Sequence, residues 1–310
     1  MPEVDGDKLA GMTKQHPKLK DVPFIIVTSS KQQKEKINSL MEVDDFITKP
    51  YDPRELFLRV GNLLKMTKLQ RELEEDLQMA QKIQSLILNS DKPSQDDHIV
   101  FDIQYFPQSK IGGDLYNIYK MDNGVYRFFL ADATGHGVQA ALMTMIISSE
   151  YQRLKKFVDS PAQLLNILNN EMVFVYGYLN LFFTCFVADI DLNNKTITYA
   201  SAGHPKQKLF IHNELKTLSA PGKIIGILEN SVYENQVTPF DDSFQLFLFS
   251  DGITEQFNPK KEMLKDDVLY AIMQENLSIQ EKNQKILETL KNFSEGIGFS
   301  DDVTLIGIEV

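Results

Sequence analysis

The sequence predicts an α+β protein in which a short α/β segment and one long helix precede a strand-rich C-terminal region. From residue 99 onward, segments rich in β-forming residues come in sets and the helical patterns in pairs, which is typical of antiparallel sheets covered by helices. Between residues 53 and 89, apolar residues recur at steps of three and four. Residues 1–52 alternate helical and strand patterns. We therefore predict three parts: residues 1–52, 53–90 and 97–310.

The first part has two predicted strands. Residues 24–27 (FIIV) are a continuous apolar run, as expected for a strand buried on both faces of a parallel sheet. Residues 45–48 (DFIT) predict a shorter strand that ends at Lys49 and Pro50. Because two parallel strands alone cannot bury both faces, we expect this part to be loosely packed.

Residues 53–89 predict one amphipathic helix, which at 1.5 Å per residue would span roughly 50 Å. Its apolar stripe consists of Leu56, Val60, Leu63, Met66, Leu69, Leu73, Leu77, Ala80, Ile83 and Ile87. A helix this long cannot easily cover its own stripe, so we predict a coiled-coil homodimer. Asp76 interrupts the heptad seam, and the alternative is a helix lying across its own domain. A polar stretch with Pro93 ends the helix.

The C-terminal part carries nine predicted strands and two pairs of helices. The strands are 99–105, 115–119, 125–131, 181–190, 195–201, 206–212, 232–237, 244–250 and 303–309, and the helices are 137–157, 161–176, 262–275 and 279–293. This order predicts antiparallel sheets with helices on the outside.

Composition excludes several functional classes. The formal net charge of −11 over 310 residues argues against nucleic acid as the main partner. No apolar run reaches the roughly 18–20 residues of a membrane span, and no signal-peptide pattern opens the chain. The single cysteine, Cys185, lies in a predicted buried strand and suits a reducing cytosol. We expect a cytoplasmic protein without a membrane partner.

Four aspartates lie in short motifs suited to a hard metal ion. Asp114 follows two glycines, Asp132 lies in residues 131–137 (ADATGHG), Asp251 lies between Ser250 and Gly252, and Asp301 precedes the final strand. Each motif alone would be read as an acidic turn. Mg²⁺ and Mn²⁺ prefer oxygen ligands, and two such ions about 3.5–4 Å apart are a common device for attacking phosphate esters. Four motifs in this order therefore predict a two-metal carboxylate site.

From about residue 80 to 310 the chain resembles the metal-dependent protein phosphatase (PPM) superfamily, in the bacterial branch typified by stage II sporulation protein E. The further motifs that carry the resemblance are residues 80–84 (AQKIQ), 199–205 (YASAGHP), 233–234 (YE), 249–255 (FSDGITE) and 301–305 (DDVTL). The resemblance implies a β-sandwich flanked by helices, an α-β-β-α arrangement, with a two-metal site at one end.

The resemblance also implies a role for each aspartate. Asp132 should bridge two Mn²⁺ or Mg²⁺ ions, with Asp114 and the backbone carbonyl of Ala133 completing one site. Asp251 and Asp301 should complete the other, and Asp132 and Asp251 are the expected catalytic residues. The reaction implied is hydrolysis of phosphoserine or phosphothreonine by a water that the metals activate.

Three nearby residues have open roles. His136 is four residues beyond Asp132, where the eukaryotic branch has a histidine at two, so loop structure is the alternative to acid catalysis. His204 lies in a turn, for which we favour a structural role. Asp302 is a further metal ligand, a neighbour that supports the ligands, or a solvated residue.

Residues 1 to about 62 resemble the second half of a response-regulator receiver domain. Thr28 matches the switch threonine, and Lys49 with Pro50 matches the lysine–proline pair that contacts the acyl phosphate. The phosphoacceptor aspartate would lie upstream of Met1, so we expect the chain to be a piece of a longer receiver.

The leading interpretation is a serine/threonine phosphatase in a response-regulator pathway. Its expected partner is a phosphoprotein, commonly an anti-anti-sigma factor in this family. Two alternatives stay open: a non-catalytic adaptor with a phosphatase-like domain, and a phosphatase inactive in this truncated form. Degenerate members lose metal carboxylates, and all four are present here.

Overall fold

The computed structural model describes residues 6–29, 43–89, 93, 98–121, 124–135, 137–179, 181–241 and 243–310. The chain divides into two compact units, Met1–Gln78 and Met79–Val310. His136, the first five residues and most of the polar stretch after the long helix lie outside the described residues. The three-part division with limits at 52, 90 and 97 stays a prediction.

The N-terminal unit is a small α/β arrangement. Helix α1 (Gly6–Gln15) precedes two parallel strands, β1 (Ile25–Thr28) and β2 (Asp45–Thr48), in which Ile25 lies opposite Asp45. The backbone N–H of Lys49 donates to the Thr28 carbonyl at 2.7 Å, so these two receiver-like residues are neighbours. The expected two-sided burial of β1 is wrong for Val27, which is 40% exposed because the described residues place only one strand beside β1.

Helix α2 (Pro53–Asn89) is continuous over 37 residues, which confirms the predicted helix. Near its start, Arg59 binds Asp45 with a nitrogen–oxygen distance of 3.0 Å. Several apolar side chains on α2 are more than half exposed, among them Phe57, Met66 and Leu73. The coiled-coil dimer stays a prediction. No helix in the described part of the chain is long and apolar enough to cross a membrane.

The C-terminal unit contains two five-stranded antiparallel sheets. The first has the order β10-β7-β6-β5-β4, with β4 Asp114–Lys120, β5 Tyr126–Ala133, β6 Phe183–Asp191, β7 Thr196–Ala202 and β10 Gln236–Pro239. The second has the order β3-β12-β11-β8-β9, with β3 Val100–Phe106, β8 Gln207–Ile211, β9 Glu214–Leu218, β11 Gln245–Phe249 and β12 Val303–Glu309.

Strand β9 was not predicted. It is an edge strand with mostly exposed side chains, so it lacks the apolar alternation that marks the other strands. The signal that could have found it is the turn before it. His212 and Asn213 both have positive φ, at 54° and 61°, as a two-residue hairpin turn requires.

Helices cover the two sheets. Helices α3 (Val138–Leu154) and α4 (Pro161–Tyr176) accompany the first sheet, and α5 (Asp266–Met273) and α6 (Ile279–Phe293) accompany the second. Along β11, Leu246 and Leu248 enter the core shared with the first sheet, whereas Phe247 and Phe249 enter the core shared with α5 and α6. This period of two confirms the predicted sandwich with helices outside.

Candidate metal centre

The first sheet supplies two of the predicted ligands. Asp114 begins β4 and lies directly opposite Asp132 on β5, and Thr184 of β6 lies opposite Asp132 on its other side. Residues directly opposite in a sheet project from the same face, so the two carboxylates share one surface. Asp114 is 1% exposed, and its Oδ2 accepts a 2.5 Å hydrogen bond from the Thr304 hydroxyl. Its Oδ1 is buried and has no hydrogen-bond partner among the residues that the structure describes.

The second sheet supplies the other two. Asp251 follows β11 and opens the short turn Asp251–Ile253, while Asp301 lies just before β12. Ser250 joins the two strand ends, because its N–H donates to the Thr304 carbonyl at 3.1 Å and its Oγ accepts from the Thr304 N–H at 3.0 Å. The turn comes so close to Asp302 that a Cβ on Gly252 would stand 2.1 Å from the Asp302 carbonyl oxygen.

The charges of these aspartates act on one another. Burial, followed by the charges of Asp251 and Asp301, raises the pKa of Asp132 to about 8. Burial and then the Asp301 charge raise the pKa of Asp251 to about 6. Burial, followed by Asp132, raises the pKa of Asp114 well above its usual range. Burial is the largest cause in each case, and the neighbouring negative charges act in the same direction.

The donor set suits a hard divalent cation. Its donors are carboxylate oxygens, and one of them, Oδ1 of Asp114, is buried with no hydrogen-bond partner among the described residues. A cation bound there would also relieve the repulsion between the carboxylates. Within the ranges described above, however, no three histidine, cysteine or acidic side chains stand in ligating positions around one point. The chemistry and the strand ends fit such ions, and the individual ligand roles of Asp114, Asp132, Ala133, Asp251 and Asp301 stay predictions.

Asp302 has a defined set of contacts. Its Oδ1 accepts from the Gln108 N–H at 2.7 Å, and its Oδ2 accepts from the Gly113 N–H. These bonds hold the loop that precedes Asp114. A Cβ on Gly113 would be 2.8 Å from the Ala133 carbonyl oxygen, so glycine permits the loop to approach that carbonyl. Of the three roles left open by the sequence, these contacts favour support of the ligands.

Gln84 supports the same loop from helix α2, a role that was not predicted although the residue lies in one of the family motifs. The side chain is 4% exposed. Its Nε2 donates to the Gly112 carbonyl at 2.7 Å and to the Thr144 hydroxyl at 3.2 Å, and its Oε1 accepts from the Gly112 N–H at 3.2 Å. The end of α2 is therefore bonded to the loop that carries Asp114.

His204 and Cys185 are both buried. His204 is 7% exposed, its Nδ1 pairs with the Thr184 hydroxyl at 2.7 Å, and burial lowers its pKa to about 3. It is therefore neutral at physiological pH and suited to a structural role. Cys185 is fully buried, and burial raises the pKa of its thiol.

Comparison with known proteins identifies the family. The family model described as "Stage II sporulation protein E (SpoIIE)" matches residues 122–310, more than half of the chain. The chain belongs to the SpoIIE family. The resemblance stated from the sequence is confirmed.

Individual relatives agree with this assignment. "Phosphoserine phosphatase RsbP" of Bacillus subtilis (strain 168) is 26% identical over 244 residues, which is 76% of this chain and 58% of RsbP. The chain therefore spans little more than half the length of that relative. A short N-terminal segment is similar to "Response regulator SaeR" of Staphylococcus aureus, 42% identical over 79 residues, which is 25% of this chain and 34% of SaeR.

Two solved structures share the fold. The "SiaA-PP2C domain of Pseudomonas aeruginosa" superposes with a TM-score of 0.67 at 19% identity, covering 78% of this chain and 98% of that one. "RsbX in complex with magnesium" superposes with a TM-score of 0.53 at 17% identity, covering 70% of this chain and 98% of that one. The predicted α+β sandwich is confirmed.

Proposed function

We propose that this chain is a metal-dependent phosphatase that hydrolyses phosphoserine or phosphothreonine on a protein. The observation that carries the proposal is the pair of carboxylates on neighbouring strands, in which Asp114 lies opposite Asp132. The second sheet is bonded to this pair through the Thr304 hydroxyl, which donates to Asp114, and through the Asp302 carboxylate, which accepts from the Gly113 N–H. Family membership, a relative named phosphoserine phosphatase and PP2C-type structures support it.

The proposed ligand set follows the sandwich. Asp132 would serve two ions, Asp114 and the Ala133 carbonyl would complete one site, and Asp251 and Asp301 the other. When bound, Mn²⁺ or Mg²⁺ supplies Lewis acidity toward water and phosphoryl oxygens. Asp302 and Gln84 would act through the backbone, because they fix the loop that positions Asp114.

The wider setting is also part of the proposal. An anti-anti-sigma factor is the proposed phosphoprotein, since proteins of the family's bacterial branch commonly act on such factors. The receiver-like N-terminal unit supports a place in response-regulator signalling, and we propose that it acts in the cytoplasm. Exposed apolar side chains along α2 support a homodimer through that helix. The adaptor alternative is disfavoured because all four carboxylates are kept.

Hydrolysis of p-nitrophenyl phosphate tests the proposal. The wild-type chain should be active with Mn²⁺ and inactive with EDTA, and Asp251→Ala should lose most of the metal-dependent rate because one carboxylate ligand is gone. Asp241→Ala is the matched control: Asp241 follows β10 on the surface and pairs only with His212 at 2.7 Å in the described contacts. Activity without metal, or activity that survives Asp251→Ala, would contradict the two-metal proposal.

A further inference from the structure

Five large apolar side chains form an exposed surface, called here the apolar shelf: Phe174, Tyr178, Ile227, Leu228 and Val232. They are exposed by 91%, 79%, 51%, 45% and 75% respectively. They come from the end of α4, the turn after it and the loop between β9 and β10. Clustered exposed apolar residues are unusual on a soluble domain and mark interaction sites.

Three members of the shelf, Phe174, Leu228 and Val232, line two neighbouring pockets, while Ile227 directly precedes Leu228 and Tyr178 lies four residues after Phe174. One shallow pocket is lined by Phe174 together with Glu229 and Asn230, and a second is lined by Leu228, Val232 and the same Glu229 and Asn230. The two shared residues join the helical side of the shelf to the loop side.

The shelf is held rigidly by asparagines of α4. Asn169, fully buried, donates to the Leu228 carbonyl at 2.9 Å and accepts from the Gly226 N–H at 3.1 Å. Asn170 accepts from the Asn230 N–H at 3.3 Å. A loop fixed in this way presents its apolar side chains without further ordering, which lowers the entropy cost of binding a partner.

The shelf is also continuous with the metal centre. Gly226 has φ +91°, and a Cβ there would stand 2.3 Å from the Leu181 carbonyl oxygen, so the shelf loop touches residue 181 directly. The next carbonyl, of Phe182, accepts from the Thr134 hydroxyl at 2.8 Å. Thr134 is two residues from Asp132, so one edge of the shelf adjoins the loop that carries the proposed bridging ligand.

We propose that the apolar shelf is the docking surface for the folded phosphoprotein substrate; this rests on the proposed phosphatase function. A protein that presents a phosphoserine at Asp132 must lie over the adjoining surface, and the contacts through Leu181 and Phe182 connect the shelf to that loop. The charged residues at its rim are Glu171, Glu229 and Glu234 against Lys223, with Arg153 paired to Glu171 at 3.3 Å. The partner surface is therefore apolar at its centre with an excess of basic side chains around it.

Phe174→Ala and Tyr178→Ala test this surface with three probes. They are p-nitrophenyl phosphate, an anti-anti-sigma factor phosphorylated on serine by its kinase, and a short phosphoserine peptide of the same sequence. We expect kcat/KM for the folded phosphoprotein to fall at least tenfold, mainly through KM, because exposed aromatic residues are frequent hot spots. Rates with the ester and the peptide should stay at the wild-type level.

Phe157→Ala is the matched control. Phe157 is 81% exposed, but it lies before the first residue of α4, at the opposite end of that helix from Phe174. Sixteen residues of helix separate the two ends by about 24 Å. This variant should behave as the wild type with all three probes.

Each outcome decides the proposal. Unchanged kinetics of both shelf variants on the phosphoprotein would overturn it, as would a wild-type enzyme that hydrolyses the ester and treats the folded protein no better than the peptide. A shelf variant that changes the sedimentation mass would assign the shelf to a second copy of the chain and overturn it as well.

Failure of the phosphatase function has a different signature. In that case the wild type is inactive with all three probes, and calorimetric binding of the phosphoprotein becomes the test. Weakened binding by Phe174→Ala would retain the docking surface, and equal binding would overturn it.

Discussion

Replacing Asp302 tests whether this residue supports the loop before Asp114 or binds the metal itself. Its carboxylate accepts from the N–H groups of Gln108 and Gly113. Asp302→Ala leaves the Gly113 N–H buried without an acceptor, at a cost of about 2 kcal/mol, whereas water can reach the exposed Gln108 and limits that loss to about 1 kcal/mol. The expected loss in the free energy of unfolding is therefore about 3 kcal/mol.

The assay is urea unfolding in EDTA, followed by calorimetric titration with Mn²⁺. The matched neighbour is Asp301→Ala: this exposed carboxylate accepts one hydrogen bond, from the Asp302 N–H at 2.7 Å, so its loss should cost less than about 1 kcal/mol without metal. Asp301→Ala should instead weaken Mn²⁺ binding. If Asp302→Ala is as stable as the wild type in EDTA, its hydrogen bonds do not hold the loop and our reading of Asp302 is wrong.

Gln84→Leu removes both hydrogen bonds to Gly112, so the free energy of unfolding should fall by about 2 kcal/mol and Mn²⁺ affinity should fall with it, as measured by urea unfolding and calorimetry. Arg127→Met leaves Asp189 buried without its two bonds of 2.7 and 2.6 Å, which should cost about 3–5 kcal/mol in thermal or urea unfolding. The raised pKa of Asp132, about 8 against an ordinary 3.8, means that the folded, metal-free protein holds a proton that the unfolded chain releases. The contribution of Asp132 to stability in EDTA should therefore be complete below about pH 4 and be lost as the pH rises to about 8, and Asp132→Asn should flatten the pH dependence to that extent.

Ser85→Ala, an exposed change next to Gln84, should leave Mn²⁺ affinity unaltered, and equal affinity in Gln84→Leu would refute the role of that side chain. Adding Asp189→Leu to Arg127→Met should restore part of the lost stability, and no recovery would mean that the isolated charge is not the cause. Metal-free stability that rises between pH 5 and pH 8 would contradict the pKa assignment of Asp132.

The sequence was most informative where burial imposes a period. Successive side chains of strand β11 enter two different cores, so both faces of the strand are buried. In the sequence, such a strand is a continuous apolar run, and this run ends at Ser250. The edge strand β9 was missed because its side chains face solvent and carry no such pattern. The burial of β1 was overestimated, since the sequence shows an apolar run but not how many strands lie beside it.

The supporting residues could not be predicted in the same way. Gln84, Asp302 and Ser250 act through side-chain bonds to backbone groups that are 28, 189 and 54 residues away along the chain. No local spacing encodes such contacts, because they exist only after the helix and both sheets have packed. The aspartates themselves were predictable, since each lies beside glycine, serine or a strand end.

The origin of the ligands in two sheets has a consequence for stability. Asp114 and Asp132 belong to the first sheet, whereas Asp251 and Asp301 lie at strand ends of the second. The full set of carboxylates therefore exists only when the sheets are packed, and the bond from Thr304 to Asp114 joins them at the site. A cation that binds this set binds the folded state over the unfolded chain, so its binding free energy adds to the stability of the sandwich. Burial, followed by the charges of Asp251 and Asp301, raises the pKa of Asp132, so the metal-free sandwich carries an electrostatic cost at neutral pH that such a cation would oppose.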